Sequence, residues 1–522
     1  MPLPTLTAAQ VAAALQQCYD FSAEQALALA AAGPPDIRSP WAIPGMDALV
    51  ERLAAALRQR EALLLFGDFD ADGVTGTAVL FAALSAYSDR VERYTPFYRE
   101  GYGLHVPQVE EFYRRGVRVV VTVDSGVSSY EAVERAHQLG LTLLVTDHHL
   151  PHPDRGPAGT LAVNPPDFIL SGAQLAYLTA QAVRERLGGP AGHDPWGLAL
   201  SAVGAQGDWV RVDRPETRAW VVQGLAAVQS AQCPLGLRLL QEVLGERAIT
   251  SEMRPLWGLL NMGKRSRQVD PNRVVEALLP ETSSERCRAI WQDLVDERAR
   301  AYAAMESFTA QALTGVREQA GGSGLLIHEV MGGDDSLSEV EGPLTSRIVE
   351  MVGRPTLVLR AVTSQVNFSG RARGAFSFES FLSDPEIYSL TLAMGGHRQA
   401  IGGSFRLGDQ TAFIAAVRRW EQRQPPAAAA PPLRHPPIAL EALDPATAYL
   451  YSRAVGPFGH HMRPPRFRTN LVVRGGWAFS GDFLVELDRP LGPGAQEVGF
   501  RFDEAGCDGE KVSIRVGRAP RY

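Results

Sequence analysis

Cysteine and lysine are both scarce in this chain of 522 residues. The four cysteines, Cys18, Cys233, Cys287 and Cys507, are scattered and form no CxxC pair. They build no disulfide framework, which suits a reducing compartment. No apolar run reaches bilayer-spanning length although 45% of residues are hydrophobic, and the N-terminal residues lack a charged start and a signal-type cleavage pattern. A cytoplasmic protein with no membrane association is expected. Only Lys264 and Lys511 are lysines among 51 basic residues. Arginine therefore carries nearly all positive charge, and with abundant Ala, Gly and Pro this points to a GC-rich genome, so a single arginine is a weak sign of phosphate binding. The net charge of -7 argues at first sight against a polyanionic partner. Its distribution argues less: residues 361–522 carry 19 Arg and Lys against 15 Asp and Glu, about +4, which leaves about -11 for the rest. A basic last third suits steering of a polyanion.

What the chain has is acid at the ends of apolar runs. Leu63-Leu64-Leu65 leads into Phe66-Gly67-Asp68-Phe69-Asp70-Ala71-Asp72-Gly73, with carboxylates at i, i+2 and i+4. Like charges this close resist folding unless a cation neutralises them, although acids also favour a helix N-cap in a solvated turn. Val119 to Val123 then leads into Asp124-Ser125-Gly126, and Leu141 to Thr146 into Asp147-His148-His149. Between these two runs, Ser129 to Leu139 is amphipathic and Gly140 stands at a helix stop. Strand, helix, strand implies a parallel βαβ unit, in which ligands gather at the carboxyl ends of the strands. Three strand ends bearing Asp, Asp and Asp-His-His would then share one crevice, offering oxygen and imidazole ligands suited to manganese or magnesium. A histidine pair alone is more often a polar turn; at a third acidic strand end it reads as a ligand set.

The length exceeds what one core can serve, and about three domains are expected. Residues 1–60 are Ala-rich and helical in pattern, and 61–230 form an α/β region. Residues 231–320 read as a helical connector, ending in a long helix between Pro280 and Gly315. Its apolar stripe of Trp291, Leu294, Ala301 and Met305 reads as plain core packing. A second α/β region spans 321–424, with strands at Thr356–Arg360 and Gln365–Arg373 and a glycine-rich stretch at Gly395–Gly403. The Pro/Ala run 425–432 is a linker. In 433–522 alternating segments at Phe467–Val473, Trp477–Leu487, Glu497–Phe502 and Val512–Val516 predict a small barrel. Phe458, Phe467, Trp477, Arg463, Arg466 and Arg468 could stack and neutralise a single strand there, or the aromatics could fill the barrel.

GDFDADG, VDSG and TDHH, in that order, resemble the first three motifs of the DHH phosphoesterases, and GDFDADG is similar to the RecJ-like single-strand exonuclease branch. Leu198 to Asp208 resembles the fourth motif, with Gln206-Gly207 where the branch usually has Val-Ala. Glu100-Gly101-Tyr102-Gly103-Leu104 also resembles a RecJ segment. Met394 to Gly403 resembles the Gly-Gly-His motif of the DHH-associated domain. The resemblance implies a DHH parallel-sheet catalytic domain and an α/β DHH-associated domain joined by a long helix, with a C-terminal OB-like β-barrel. It further implies two Mn²⁺ or Mg²⁺ ions held by Asp70, Asp72, Asp124, His148 and Asp208, with Asp124 bridging and Asp68 as a further ligand. His149 would contact the scissile phosphate or the attacking water, and Asp147 would orient the histidines. Substrate phosphate would fall to Arg99, Lys264, Arg265, Ser369, Arg371, Arg373, Gly396 and His397. The implied activity is 5′-to-3′ degradation of single-stranded DNA in repair and recombination, by a monomer working with a single-strand-binding protein or a helicase.

Three departures from the pattern stand out. Phe66 takes the place of a histidine found in many family members, which implies weaker binding at one ion. Asn261-Met262-Gly263-Lys264-Arg265 replaces Asn-Ala-Ala-Gly-Arg, and Arg99 substitutes for a displaced arginine. Two other readings stay open: a phosphodiesterase of short oligonucleotides or cyclic dinucleotides, and a non-catalytic nucleic-acid-binding scaffold.

Overall fold

The computed structural model describes the chain apart from residues 1–5, 34–35, 150, 152–154, 160–161, 164, 166–169, 191, 193, 209, 246–252, 266–268, 314–315, 317–323, 331–340, 363, 373–375, 425–449, 452–455, 457–461, 463–466, 475–476, 481–482, 488–493, 503–512 and 517–522, with backbone only for 162, 265, 304–305, 396–397 and the strand residues beyond 467. The chain divides into two units, Met1–Gly263 with Val269–Val295 and Arg434–Tyr522, and Lys264–Gln268 with Asp296–Leu433.

In the first unit β1 (Leu63–Gly67), β2 (Val91–Tyr94), β3 (Val119–Val123), β4 (Thr142–Thr146) and β5 (Ala162–Val163) form a parallel sheet in the order β2-β1-β3-β4-β5. β1 and β3 are buried throughout, because helices cover both faces; that is why they read as unbroken apolar runs. On one face Leu64, Phe66 and Val120 pack against Val109 and Phe112 of helix Val106–Arg114 and Ala132 and Ala136 of helix Tyr130–Gln138. Helices Ala71–Ser85, Gly172–Arg186 and Pro195–Gly207 are rich in Gly and Ala and are buried over most of their length. Small residues let them approach closely: a Cβ at Gly204 would lie 2.3 Å from Thr75 Oγ1. The strand order reverses between β1 and β3, and such a switch point opens a crevice at the carboxyl ends of its strands.

The expected connecting helix is Ser284–Ala312. Cys287, Ile290, Trp291 and Leu294 are buried along its first half, and the Trp291 indole donates to the Gly236 carbonyl at 2.9 Å. Trp291 and Leu294 of the expected stripe are thus core residues, whereas Ala301 is half-buried and the Met305 side chain lies outside the described residues. Also in the first unit, β11 (Phe467–Arg474), β12 (Trp477–Ser480), β13 (Phe483–Leu487), β14 (Gly494–Phe502) and β15 (Ser513–Val516) close a barrel in the order β11-β12-β13-β15-β14. β13 and β15 run parallel and the other pairs antiparallel, the arrangement of an OB-type barrel. The expected single strand Trp477–Leu487 is two strands. Phe467, a candidate stacking platform, is buried with its ring 4.8 Å from that of Tyr451, so it offers no exposed face to a base. Phe458, Arg463 and Arg466 lie outside the described residues, as do the side chains of Arg468 and Trp477.

The second unit holds a mixed sheet of β6 (Leu326–Val330), β7 (Thr356–Val362), β8 (Gln365–Arg371), β9 (Thr391–His397) and β10 (Ala400–Arg406), ordered β6-β7-β8-β10-β9. Its core includes Phe368, Phe378, Phe405, Phe413 and Trp420, with Phe405 stacked on Phe413 at 4.1 Å. The glycine-rich stretch lies in the β9–β10 hairpin, whose second strand pairs with β8. Glycine weakens a strand, yet here it makes room: a Cβ at Gly403 would stand 2.3 Å from the Ala393 carbonyl and 2.5 Å from the Phe368 ring.

Candidate metal centre

The sheet register brings the acidic motifs to one level. Gly67 of β1 pairs with Val123 of β3, and Val123 with Thr146 of β4. The next residue of each strand is Asp68, Asp124 or Asp147. Their amides continue the ladder, donating to Val123, Thr146 and Val163 carbonyls at 3.2, 3.0 and 3.1 Å. Asp68, Asp124 and Asp147 are buried at 3%, 2% and 0% exposure. Asp124 adopts φ +62, an uncommon conformation for a residue with a Cβ, and strained backbone of this kind gathers at working sites.

Two helices add the remaining carboxylates. Asp70 caps helix Ala71–Ser85, accepting from the amides of Asp72 and Gly73 at 3.0 and 3.1 Å. Asp72 accepts from the amides of Gly172 and Ala173 at 2.6 and 3.1 Å, so the positive end of helix Gly172–Arg186 holds it. The same helix start presses on Asp124: a Cβ at Gly172 would lie 2.4 Å from the Asp124 Cβ. Asp208 follows helix Pro195–Gly207, and its amide donates to the Gly204 carbonyl at 2.9 Å.

The histidines complete a ring of potential ligand atoms. His148 Nε2 stands 3.2 Å from Asp124 Oδ1, 3.6 Å from Asp208 Oδ2 and 4.0 Å from Asp72 Oδ2. His149 Nδ1 is 2.8 Å from Asp147 Oδ1, whose other oxygen accepts from the Val127 amide at 2.9 Å. Three groups offer atoms within 4.8 Å of one another: Asp68, Asp70 and Asp124; Asp72, His148 and Asp208; and Asp124, His148 and His149. Asp124 and His148 each belong to two groups. Asp124 Oδ1 and His148 Nε2 are buried without a hydrogen bond, a costly state that a coordinated cation would relieve. Five carboxylates and two imidazoles form a donor set suited to a hard or borderline divalent ion.

Charge crowding shows in the titration of these groups. Burial, then Asp208, pushes Asp72 up to about 7. Burial, then Asp72 and Asp70, holds Asp124 well above the usual carboxylate range. Burial works against ionisation of Asp147 as well, but the hydrogen bond and charge of His149 outweigh it and keep this carboxyl below its ordinary value. Burial opposes the charged imidazoles too, yet Asp208 and Asp72 raise His148, and Asp147 lifts His149 to about 9.

Phe66 takes no part in this cluster. Its ring is fully buried against Tyr94 and Phe112, at centroid distances of 6.0 and 6.3 Å. Arg99 is exposed and its guanidinium lies over the Phe97 ring at 4.5 Å. Lys264 sits on the short helix Met262–Arg265, with the Arg265 side chain outside the described residues. In the second unit Arg371 Nη1 donates to Ser369 Oγ at 2.9 Å, which brings those two candidates together. Arg373 lies outside the described residues, and Gly396 and His397 are described by backbone alone, on β9.

Three residues that the sequence offered only as parts of motifs, with no role assigned, support the cluster. Tyr102, between Gly101 and Gly103 at φ +88 and +84, places its hydroxyl 2.9 Å from His149 Nδ1 and donates to the Asp124 carbonyl at 3.2 Å. Glu100 secures that loop, accepting from the Phe97 amide at 2.9 Å and the Tyr94 hydroxyl at 2.6 Å. Asn261 accepts from the Ala71 amide at 2.8 Å. The glycines flanking Tyr102 were a legible hint; the Asn261 contact, 190 residues from its partner, carries no local signal.

A sequence model of the DHH family, N-terminal domain, matches residues 62–200. The single-stranded-DNA-specific exonuclease RecJ of Haemophilus influenzae is 31% identical over 400 residues, covering 70% of this chain and 67% of that one. Its counterpart in Bacillus subtilis is 29% identical over 391 residues, covering 72% of this chain and 47% of that one. The chain thus spans about half the length of the Bacillus relative. Among solved structures, RecJ of Thermus thermophilus in complex with Mn²⁺ shares the fold at a TM-score of 0.76 and 24% identity, covering 100% of this chain and 79% of that one. A manganese-bound exonuclease RecJ aligns at a TM-score of 0.57 and 28% identity, covering 73% of this chain and 96% of that one.

Proposed function

The chain belongs to the RecJ-like branch of the DHH family, and on that premise we propose that it is a metal-dependent exonuclease of single-stranded DNA, working in the 5′-to-3′ direction in repair and recombination. The observation that carries this reading is the convergence of Asp68, Asp70, Asp72, Asp124, His148 and Asp208 into overlapping ligand groups at the sheet's switch point. Manganese or magnesium would be held there. Asp68, Asp70 and Asp124 would hold one ion and Asp72, His148 and Asp208 the other; Asp124, which belongs to two of the ligand groups, would be the shared ligand. Bound in pairs, such ions activate a water at neutral pH and offset charge on the phosphoryl oxygens.

The chain's own groups do the rest. Asp147 orients His149, with its Oδ1 2.8 Å from the ring Nδ1, and the imidazole contacts the scissile phosphate or the attacking water. Arg99, Lys264, Arg265, Ser369, Arg371, Arg373, Gly396 and His397 bind substrate phosphate; guanidinium forks suit phosphate oxygens, and glycine lets backbone approach. Residues 61–230 carry catalysis, 321–424 grip the strand, and the barrel within 433–522 binds single-stranded DNA. That barrel favours a long strand over a short oligonucleotide as substrate. Among the described residues no helix is long and apolar enough to cross a membrane. We place the enzyme in the cytoplasm as a monomer that receives strands from a helicase or a single-strand-binding protein.

The test is nuclease assay with Mn²⁺ on long 5′-phosphorylated single strands, on both polarities and on RNA. Mononucleotide release from the 5′ end is expected. Asp124→Ala should abolish hydrolysis and leave strand binding largely intact; unchanged turnover in that variant overturns the ligand assignment. Activity confined to oligomers of a few nucleotides supports the oligonucleotidase instead.

A further inference from the structure

Asp70 and Asp72 serve different ligand groups, and the Ala71 peptide joins them. Ala71 is the first residue of helix Ala71–Ser85, so its amide is one of the donors that a helix start leaves without an intrahelical partner. The Asp70 carboxylate caps the amides of Asp72 and Gly73. The Ala71 amide goes to Asn261 Oδ1, at 2.8 Å in a buried contact. Asn261 is itself fixed, since its own amide donates to the Trp257 carbonyl at 3.0 Å, at the end of helix Arg254–Leu260. Trp257 in turn packs beside Gly207, the neighbour of Asp208: a Cβ at Gly207 would lie 3.3 Å from the Trp257 Cβ and 2.8 Å from the Ala71 Cβ.

The next glycine points the same way. A Cβ at Gly263 would meet the Phe69 carbonyl at 2.6 Å, so the 261–263 backbone lies directly on the acidic loop. Asn261 and Gly263 therefore press on Ala71 and Phe69, the two residues that flank Asp70. Phosphate binding by Lys264 or Arg265 leaves both contacts unexplained.

We propose that Asn261 is a positioning residue of the metal centre: it holds the Ala71 peptide so that Asp70 and Asp72 face their separate ion sites, and divalent-ion binding in return tightens segment 261–263. The inference rests on the metal reading above. Coupling of this kind is reciprocal, because a group that favours the bound state is itself favoured by binding.

Calorimetric titration of the full chain with Mn²⁺ tests it, using wild type, Asn261→Ala and Asn261→Asp. Outer contacts of this sort are worth about 10–100-fold in metal affinity, so the alanine variant should lose affinity in that range. Asn261→Asp keeps an acceptor oxygen and should not share that loss, its added negative charge favouring the cation. Hydrogen exchange supplies the second readout: Mn²⁺ should slow exchange of peptides covering 257–265 in wild type and in Asn261→Asp, and fail to do so in Asn261→Ala. Equal affinity in wild type and Asn261→Ala overturns the proposal, as does equal weakening by both substitutions. If Asn261→Ala does not fold, wild type against Asn261→Asp still decides, since loss of Mn²⁺-dependent protection in a folded Asp variant with its acceptor intact overturns it. A wild type that binds no Mn²⁺ sinks the metal reading instead.

Discussion

At the scale of single residues, Asp147 and Asp124 show how one site holds carboxylates of opposite character. Asp147 and Asp124 stand on neighbouring strand ends and are equally buried, yet one is held below the usual carboxylate range and the other far above it. The difference is the partner: Asp147 has His149 and the Val127 amide, while Asp124 faces Asp72 and Asp70. Asp147→Asn keeps the shape and removes the charge. Since the imidazolium is what the carboxylate stabilises, His149 should fall from about 9 towards its ordinary 6.5 in the metal-free protein, read by NMR titration of the ring. Turnover should fall by about 10–100-fold, the usual effect of removing an orienting partner. A His149 titration unmoved by the substitution contradicts the assignment. These acids were legible in the sequence because each follows an apolar run, and in a parallel sheet the residue after a buried strand lands at the switch-point crevice. The supports were not legible. Nothing near Asp72 in sequence announces that Gly172 and Ala173 hold it, because the contact is made by folding.

At the scale of elements, the start of helix Gly172–Arg186 does two tasks at once, donating to Asp72 and leaving room for Asp124. Gly172→Ala would force a Cβ to 2.4 Å from the Asp124 Cβ, so the helix must retreat and take its amides with it. A loss of about 1–3 kcal/mol in denaturant unfolding is expected, together with weaker Mn²⁺ binding. Gly258→Ala is the matched control: nothing lies within 4 Å of that Cβ, and in a helix interior the change should stabilise by about 0.5–1 kcal/mol. Equal behaviour of the two variants would mean that the close approach is immaterial. Phe66 makes the complementary case. The resemblance cast it as a lost ligand, whereas its ring belongs to the packed layer of Tyr94 and Phe112. Phe66→Ala should cost about 3–5 kcal/mol of stability and leave Mn²⁺ affinity near wild type in the folded protein. The β9–β10 hairpin was hidden for a related reason: Gly395 to Gly403 lacks the β-branched pattern of a strand, and only pairing with β8 and the bulk of Phe368 explain why glycine sits there.

At the scale of the whole molecule, the metal centre makes stability depend on pH. Asp72 carries a folded pKa near 7 against an ordinary 3.8, so the folded state keeps a proton that the unfolded chain has already released. For this group the metal-free fold loses stability as pH rises from about 4 to 7, and the penalty is complete above 7. His148 and His149 act in the same direction by another route. Their raised folded pKa values contribute stability that is full below the ordinary 6.5 and disappears as pH climbs, through about 9 for His149. A divalent cation takes over the work of these protons, and it must displace them from the ligands it uses, so its hold strengthens as pH rises. The rise in Tm caused by saturating Mn²⁺ should therefore be small at pH 5 and large at pH 8. Calorimetry at pH 6 in buffers of different ionisation enthalpy should record proton release on binding. A Tm shift independent of pH, with no protons released, would place the ion elsewhere, because no site built from Asp72 and His148 can bind a cation without competing with protons.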